Sequence, residues 1–276
     1  MGVTINGKEI FLSGTVGGQF WDEDGFSATD VYRFLLGVGR KANITVRLNS
    51  GGGAADEGTA IYSMLSAHEG DVKLIVEGIA ASAASAIAMA GDTIIMGAGA
   101  VMMLHDPWGI SIGNVDEMDS TRRGLEATTQ EYAGIYARRS GKTVAECRKL
   151  MKEEAWYTGS EAVEEGFADA VAAGARTDPS PFAVSQYQRV PASIQAMARA
   201  QHWPERNSGK AGWKRVARRV NGESTPSVAS GYWRYLAIGL SDEIGVQRVG
   251  TGSALRNGEV GEAGWKRVAG RLNASR

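Results

Sequence analysis

The chain has 276 residues, 43% hydrophobic and 22% charged, with a net charge of −1, a composition ordinary for a soluble globular protein. A single cysteine, Cys147, excludes an intramolecular disulfide and a cysteine-rich metal site, and its place in the helical pattern TVAECRKLMKEE reads as an inert, packed thiol. The longest apolar stretch falls short of the roughly 20 residues a membrane span needs, and MGVTINGKEIFLSG lacks the basic start and apolar run of a signal peptide. A cytoplasmic protein without membrane partners is expected.

The near-zero charge conceals an asymmetry. Residues 1–185 carry 15 Lys and Arg against 25 Asp and Glu, a balance of −10, and residues 186–276 carry 15 against 6, a balance of +9. This reversal predicts an acidic globular domain over 1–185 and a basic tail over 186–276.

In chain order, EIFLSG reads as a strand, and SATDVYRFLLGV as a helix with Ser27 as N-cap and Asp30 completing a capping-box variant. NITVRLN is apolar and β-branched, hence a strand. AADEGTAIYSMLSAH spaces Ala60, Ile61, Met64 and Leu65 along one helical face. DVKLIVEG is a strand, GIAASAASAIAMAG an Ala-rich helix, and DTIIMGAGAVMMLH two short strands. A long polar helix covers about 114–139, and Thr143 caps another before WYT. Such alternation predicts an α/β fold with a mainly parallel sheet and right-handed crossovers.

Functional groups in such folds gather where strand ends turn into helix N-termini. Two places qualify. RLNSGGGAADEG sets three consecutive glycines between strand and helix, and VEGIAASAAS sets Ser82 at the first turn of the next helix. The unpartnered N–H groups there, with the helix dipole, suit a developing oxyanion. No GK[ST] follows the glycines, which argues against a P-loop, and glycine runs are commonly no more than turns. A Ser-Ala run is likewise often a small-residue core helix with serines bonded back to the backbone. A serine nucleophile needs a base, and the base an orienting acid. Of the three histidines, His68 ends a polar helix and is expected to face water, and His202 lies in the basic tail. His105 closes the apolar strand AVMMLH. A histidine there is commonly structural, yet it alone can be aimed by a core sheet at a neighbouring helix N-terminus.

LNSGGG followed by GTAIYSML, GIAASAASAIAMAGD, MMLHDPW and EEAWYTGSEAVEEGFAD resemble, in the same order, the ClpP-type serine proteases. The variants FWDEDGFSATD, MMLHDPW and RRSGKTVAECRKLM are most similar to the ClpP-related head maturation proteases of tailed phages and prophages. The resemblance covers about residues 5–185. It implies a ClpP/crotonase-like α/β fold of repeated β-β-α and βαβ units, with the helix at 114–139 as a protruding handle between rings and the basic segment as an extension. Carried over by motif, the nucleophile falls on Ser82, which completes GxAAS, the base on His105, and the acid on Glu154, counted back from EAV. Gly53 and the backbone of Ala83 would donate to the oxyanion, with Gly52 shaping the same turn. Ser85, one helical turn on, is expected to be a packing residue. The chain departs from the family in having Gly51 where proline is frequent, and Glu154 where the bacterial housekeeping enzymes have aspartate.

The resemblance implies a serine endopeptidase cutting phage capsid or scaffold proteins, working as a homo-oligomer of stacked rings without cofactor or metal. Three other readings stand beside it. One is the proteolytic subunit of an ATP-dependent Clp protease, in which an unfoldase ATPase supplies the nucleotide site this chain lacks. Another is a crotonase-like acyl-CoA hydratase or isomerase, which would not need the Ser82–His105 pair. The last is a non-catalytic assembly protein.

In the tail, GKAGWKRVARRVN at 209–221 and GEAGWKRVAGRLN at 261–273 are identical at 10 of 13 positions. Read as helices, each puts Trp, Val and Ala on one face and Lys and Arg on the other, suited to an apolar groove, an anionic surface or nucleic acid. Only through this tail is nucleic acid an expected partner. Most of the tail reads as disordered, with the intervening NGESTPSVASG as linker.

Overall fold

The computed structural model describes residues 2–18, 24–109, 111 and 113–203; the two tail segments at 209–221 and 261–273 lie outside them. Four strands open the chain: β1 (Val3–Asn6), β2 (Glu9–Ser13), β3 (Thr15–Val16) and β4 (Gly25–Phe26). There follow α1 (Ala28–Val38), β5 (Ile44–Ser50), α2 (Ala55–Ser66), β6 (Val72–Ala81), α3 (Ala83–Ala88), β7 (Thr93–Met96) and β8 (Val101–Leu104). The remainder is α4 (Val115–Ser140), α5 (Val144–Lys152), β9 (Ala155–Thr158), α6 (Gly159–Glu164), β10 (Ala170–Val171) and α7 (Ala192–Ala200).

Eight strands make one mixed sheet whose main path runs β1-β2-β5-β6-β7-β10. The pairs β2–β5, β5–β6, β6–β7 and β7–β10 are parallel, as expected of strand-helix-strand crossovers. Ten residues long, β6 forks the sheet: Lys73–Val76 pair with β7, and Ile79–Ala81 pair with β8. Gly78 lies at the fork, where a Cβ would meet the Asp178 carbonyl oxygen at 2.6 Å. The antiparallel β9 then extends the second branch beyond β8.

Local sequence explains the helix starts. Reciprocal capping boxes open α1 (Ser27 with Asp30), α4 (Asn114 with Glu117), α5 (Thr143 with Glu146) and α6 (Thr158 with Glu161), each satisfying amides that have no partner inside the helix. Of its 26 residues, α4 buries Thr129, Tyr132, Ala133, Ile135 and Tyr136 but none in its first half. That half is mostly exposed, the whole helix being about 39 Å long.

The main core joins Ile10, Leu12, Val46, Leu48, Leu74 and Val76 of the sheet to Phe34, Ile61, Leu65, Ile87 and Tyr136 of the helices. Cys147 is fully buried in it, and burial pushes its thiol pKa up, as befits an unreactive sulfur. Three expectations are corrected. The stretch GIAASAASAIAMAG is not a helix throughout: its first four residues end β6, and only Ala83–Ala88 are helical. Ala60 is exposed, and α2 turns Gly58 inward with Ile61 and Leu65 instead. His68 does not simply face water: its Nε2 lies 2.7 Å from the Ala42 carbonyl oxygen.

A second cluster lies on the other side of the forked strand. Ile79 and Ala81 of β6 and Met103 of β8 pack there with Phe182, Tyr187, Val190, Ile194, Ala198 and Trp203. Residues 178–203 therefore lie on the body as a strap, which the expected boundary at 185 divides. Among the described residues, no helix is long and apolar enough to cross a membrane.

Candidate active site

Ser82 is the residue between β6 and α3. Its backbone adopts φ 55° and ψ −125°, a conformation strained for any residue with a Cβ. The sharp turn lifts the side chain out of the sheet at the N-terminus of the helix. Surroundings of small residues make this turn possible: Gly52 sits so close that a Cβ would lie 2.7 Å from both the Ala81 carbonyl oxygen and the Ser82 Cβ. Gly58 likewise leaves room only for the Ala83 methyl and the Tyr132 hydroxyl.

Strand register brings the three family positions together. Ala81 pairs with Met103 in the parallel β6–β8 ladder, and the Ser82 N–H donates to the Met103 carbonyl at 2.9 Å. Two residues beyond Met103, His105 leaves the end of β8, and its Nε2 lies 2.7 Å from Ser82 Oγ. In the antiparallel β8–β9 ladder Leu104 pairs with Ala155, so the next position sets Glu154 across from His105. Asp106, the residue after the imidazole, is held by an ion pair with Arg148.

Glu154 also has a positive φ, 50°. Ser82 and Glu154 are two of the three non-glycine residues with positive φ among the described residues, His202 being the other. Strain of this kind concentrates where function demands a particular geometry. The Glu154 carboxylate accepts hydrogen bonds from the backbone N–H of Gln188 at 2.8 Å, that of Arg189 at 2.6 Å and the Trp156 indole at 3.2 Å. Among the hydrogen bonds of the described residues, none joins it to the imidazole.

Two backbone donors flank the serine. Ala83 is the first residue of α3, so its N–H has no intrahelical acceptor. Gly53 forms a parallel bridge with Val16, in which the Val16 N–H donates to the Gly52 carbonyl and the Ala54 N–H donates to the Val16 carbonyl. Those bonds use the groups on either side of Gly53 and leave its own N–H turned away from Val16.

Burial pushes the His105 pKa below its usual value, against the opposing pull of the Glu154 and Asp106 charges. The imidazole is thus neutral near pH 7 and able to accept a proton.

Two features escape sequence reasoning. Ser85 does more than pack. Its fully buried hydroxyl reaches the Ser82 carbonyl at 2.7 Å and the Met103 carbonyl at 2.8 Å, and lies 2.9 Å from the Tyr136 hydroxyl. A serine has one proton to donate, so the two carbonyls share it and Tyr136 donates to Ser85 Oγ. The second feature is the strap. Its Tyr187 ring meets His105 edge-on at 5.1 Å between centroids, and its hydroxyl donates to the Gly51 carbonyl at 2.6 Å. Phe182 fills the space over Gly51, where a Cβ would lie 2.4 Å from the Phe182 Cβ.

Comparison with known proteins bears on the family and the fold. Residues 15–175 match the Clp protease family. The chain is 30% identical over 140 residues to the ATP-dependent Clp protease proteolytic subunit of Bacteroides fragilis, covering 50% of this chain and 68% of that one. It is 30% identical over 142 residues to the subunit of the same name from Streptococcus mutans, covering 50% of this chain and 72% of that one. Against that of Porphyromonas gingivalis it is 31% identical over 131 residues, covering 47% and 59%. In fold it is similar to a point mutant of ClpP1 from Listeria monocytogenes, with a TM-score of 0.53 at 20% identity, over 60% of this chain and 92% of that one. By the match over residues 15–175, more than half of its length, this chain belongs to the Clp protease family, a family of peptidases.

Proposed function

We propose that the chain is a serine endopeptidase whose nucleophile is Ser82, whose base is His105 and whose orienting acid is Glu154. The single observation that carries the reading is the 2.7 Å approach of Ser82 Oγ to His105 Nε2 beside two backbone N–H groups free to serve an oxyanion. In the reaction, Ser82 Oγ attacks the scissile carbonyl while His105 Nε2 takes its proton, and the N–H groups of Gly53 and Ala83 hold the oxyanion. The imidazolium returns the proton to the leaving amine, and water then hydrolyses the acyl-enzyme by the same route. Glu154, across from His105, stabilises the imidazolium. An acyl-CoA hydratase would have no use for the serine–histidine contact.

The proposed substrates are capsid or scaffold proteins of a tailed phage, cut in the host cytoplasm by stacked rings of this subunit. The support is the set of motif variants at FWDEDGFSATD, MMLHDPW and RRSGKTVAECRKLM. The names of the relatives favour a second reading, a proteolytic subunit that works with an unfoldase ATPase in protein turnover. Two measurements test these proposals. A fluorophosphonate should modify Ser82 in the wild-type chain and find no target in S82A. Mass spectrometry of capsid proteins co-expressed with the active chain and with S82A should show cleaved termini only in the first. Labelling of Ser82 with intact capsid proteins, and degradation of unfolded proteins only when an ATPase is supplied, would favour the second reading. No labelling of Ser82 would refute both.

A further inference from the structure

The apolar surface beside Ser82 is already filled by polypeptide, and the filler comes from the same chain. Residues 178–203 are tied to it at both ends. At the near end, Asn49 at the close of β5 donates through Nδ2 to the Asp178 carbonyl at 3.0 Å and accepts from the Ser180 N–H at 2.8 Å. At the far end, Ile194, Ala198 and Trp203 complete the cluster built on Ile79, Ala81 and Met103. Between these anchors the strap reaches the groups proposed for catalysis. Phe182 covers Gly51 of the glycine turn. The Tyr187 ring stacks edge-on against both His105 and Trp156, and its buried hydroxyl donates to the Gly51 carbonyl at 2.6 Å. The amides of Gln188 and Arg189 hold the Glu154 carboxylate, while the Arg189 guanidinium donates to the Glu153 carbonyl at 2.7 Å.

These contacts have one chemical sense. A carboxylate that already accepts two backbone amides and an indole is held in those bonds, whereas an orienting acid must accept from the imidazole. An extended substrate needs the apolar surface and glycine turn on which Phe182 and Tyr187 now lie. Gly53, on the other side of the serine, stays exposed, so a small reagent still has access where a polypeptide does not.

We propose that the surface formed by Gly51, Ile79, Ala81 and Met103 is a binding site for an aromatic-bearing peptide segment, filled in this chain by its own residues 178–203, which restrain the peptidase until they are displaced. The inference rests on the serine peptidase reading. Displacement exposes the surface to substrate, returns the Glu154 carboxylate to His105 and leaves the bonds of Ser82 and His105 to the body unchanged. Because the recognition runs through two aromatic rings and main-chain amides, the competitor that opens the strap is an unfolded or extended segment carrying aromatic residues, and a folded surface would not serve.

The test compares the full-length wild-type chain with F182A/Y187A and with Y187F, a milder change that keeps the ring and removes one hydroxyl. Turnover of a short fluorogenic peptide should rise at least about tenfold in F182A/Y187A and severalfold in Y187F. A synthetic peptide of residues 178–203 added to F182A/Y187A should return turnover towards the wild-type level, and the same peptide with alanine at the two aromatic positions should not. Should F182A/Y187A lose its cooperative thermal transition, Y187F alone decides the matter. Fluorophosphonate labelling of Ser82 is followed in every variant. Labelling in all with unchanged or reduced turnover in the strap variants would overturn the restraint and leave the peptidase reading standing. No labelling in any would remove both.

Discussion

Replacing Ser85 by alanine tests how the nucleophile's turn is held. The Ser85 hydroxyl is the centre of three contacts, and its loss is felt unequally by its partners. The Ser82 carbonyl keeps the N–H groups of Ser85 and Ala86 at 2.9 and 3.3 Å, and the Met103 carbonyl keeps the Ser82 N–H. Tyr136, fully buried, keeps no such substitute, since the one hydrogen bond of its hydroxyl among the described residues is to Ser85. The expected cost of S85A is about 1 kcal/mol for the lost bonds plus about 1–3 kcal/mol for the stranded phenol, or about 2–4 kcal/mol in all. Y136F, which removes the phenol's need and leaves Ser85 its two carbonyls, should cost about 1 kcal/mol. The double variant S85A/Y136F should then be more stable than S85A alone, a coupling of about 1–2 kcal/mol that only a contacting pair produces. Urea unfolding of the four proteins measures it. Turnover of S85A at about 25 °C should stay within about tenfold of wild type, because the Ser82 N–H still binds Met103 and a single supporting bond is worth about 1 kcal/mol. An S85A protein within about 0.5 kcal/mol of wild type, the ordinary range for a surface change, would refute the reasoning. So would a double variant whose loss is the sum of the two single losses.

E154Q should lower kcat by a factor on the order of 10²–10⁴. Because the Glu154 charge raises the His105 pKa against burial, its loss should also move the acid limb of the kcat/KM profile to lower pH; E153Q should change neither, and a normal E154Q would leave a Ser–His dyad. G53A should lower kcat by about 10²–10³, the loss of one oxyanion donor, because a Cβ there would lie 2.1 Å from the Val16 carbonyl oxygen and force the turn aside. Truncation after Trp203 should leave peptide turnover unchanged, since the proposed site and the strap both precede it, while removing whatever partner binding the basic tail confers; turnover assays and pull-downs of the two forms check this. Stability should fall as the pH drops below about 6.5, the ordinary histidine value. His105 is held neutral in the fold, so the unfolded chain binds the extra proton there, and a urea midpoint equal at about pH 7.5 and about pH 5.5 would contradict this.

The strand and helix pattern is legible because each element carries its own periodicity and its own cap, as Ser27 with Asp30 and Thr143 with Glu146 show. The glycine turn and Ser82 are legible as strand-to-helix junctions. The placing of Glu154 across from His105 is not, since it depends on an antiparallel register between β8 and β9 with the 26-residue α4 between them, and only the family motif points to it. From sequence Ser85 reads as a packing residue because a Ser-Ala helix looks alike whether or not a tyrosine from a distant helix reaches it. The strap escapes notice for a compositional reason: DPSPFAVSQYQRVPAS has the prolines and serines of a linker, and its aromatic residues have no helical or strand period to announce a buried face.

The strained backbone at Ser82 bears on how the chain is kept by selection. A glycine at φ 55° and ψ −125° would relieve about 1–3 kcal/mol of strain, offset by about 0.5–1 kcal/mol of added chain entropy, against a folding margin of about 5–15 kcal/mol. Were the Ser82 hydroxyl without use, Ser82→Gly would be a net gain in stability, reachable by a single nucleotide change from an AGC or AGT codon. The serine stands where the strain of its own backbone favours its loss, a cost that the proposed use of its hydroxyl would offset. A purified S82G protein that melts above the wild type while failing to react with a fluorophosphonate would display that trade directly.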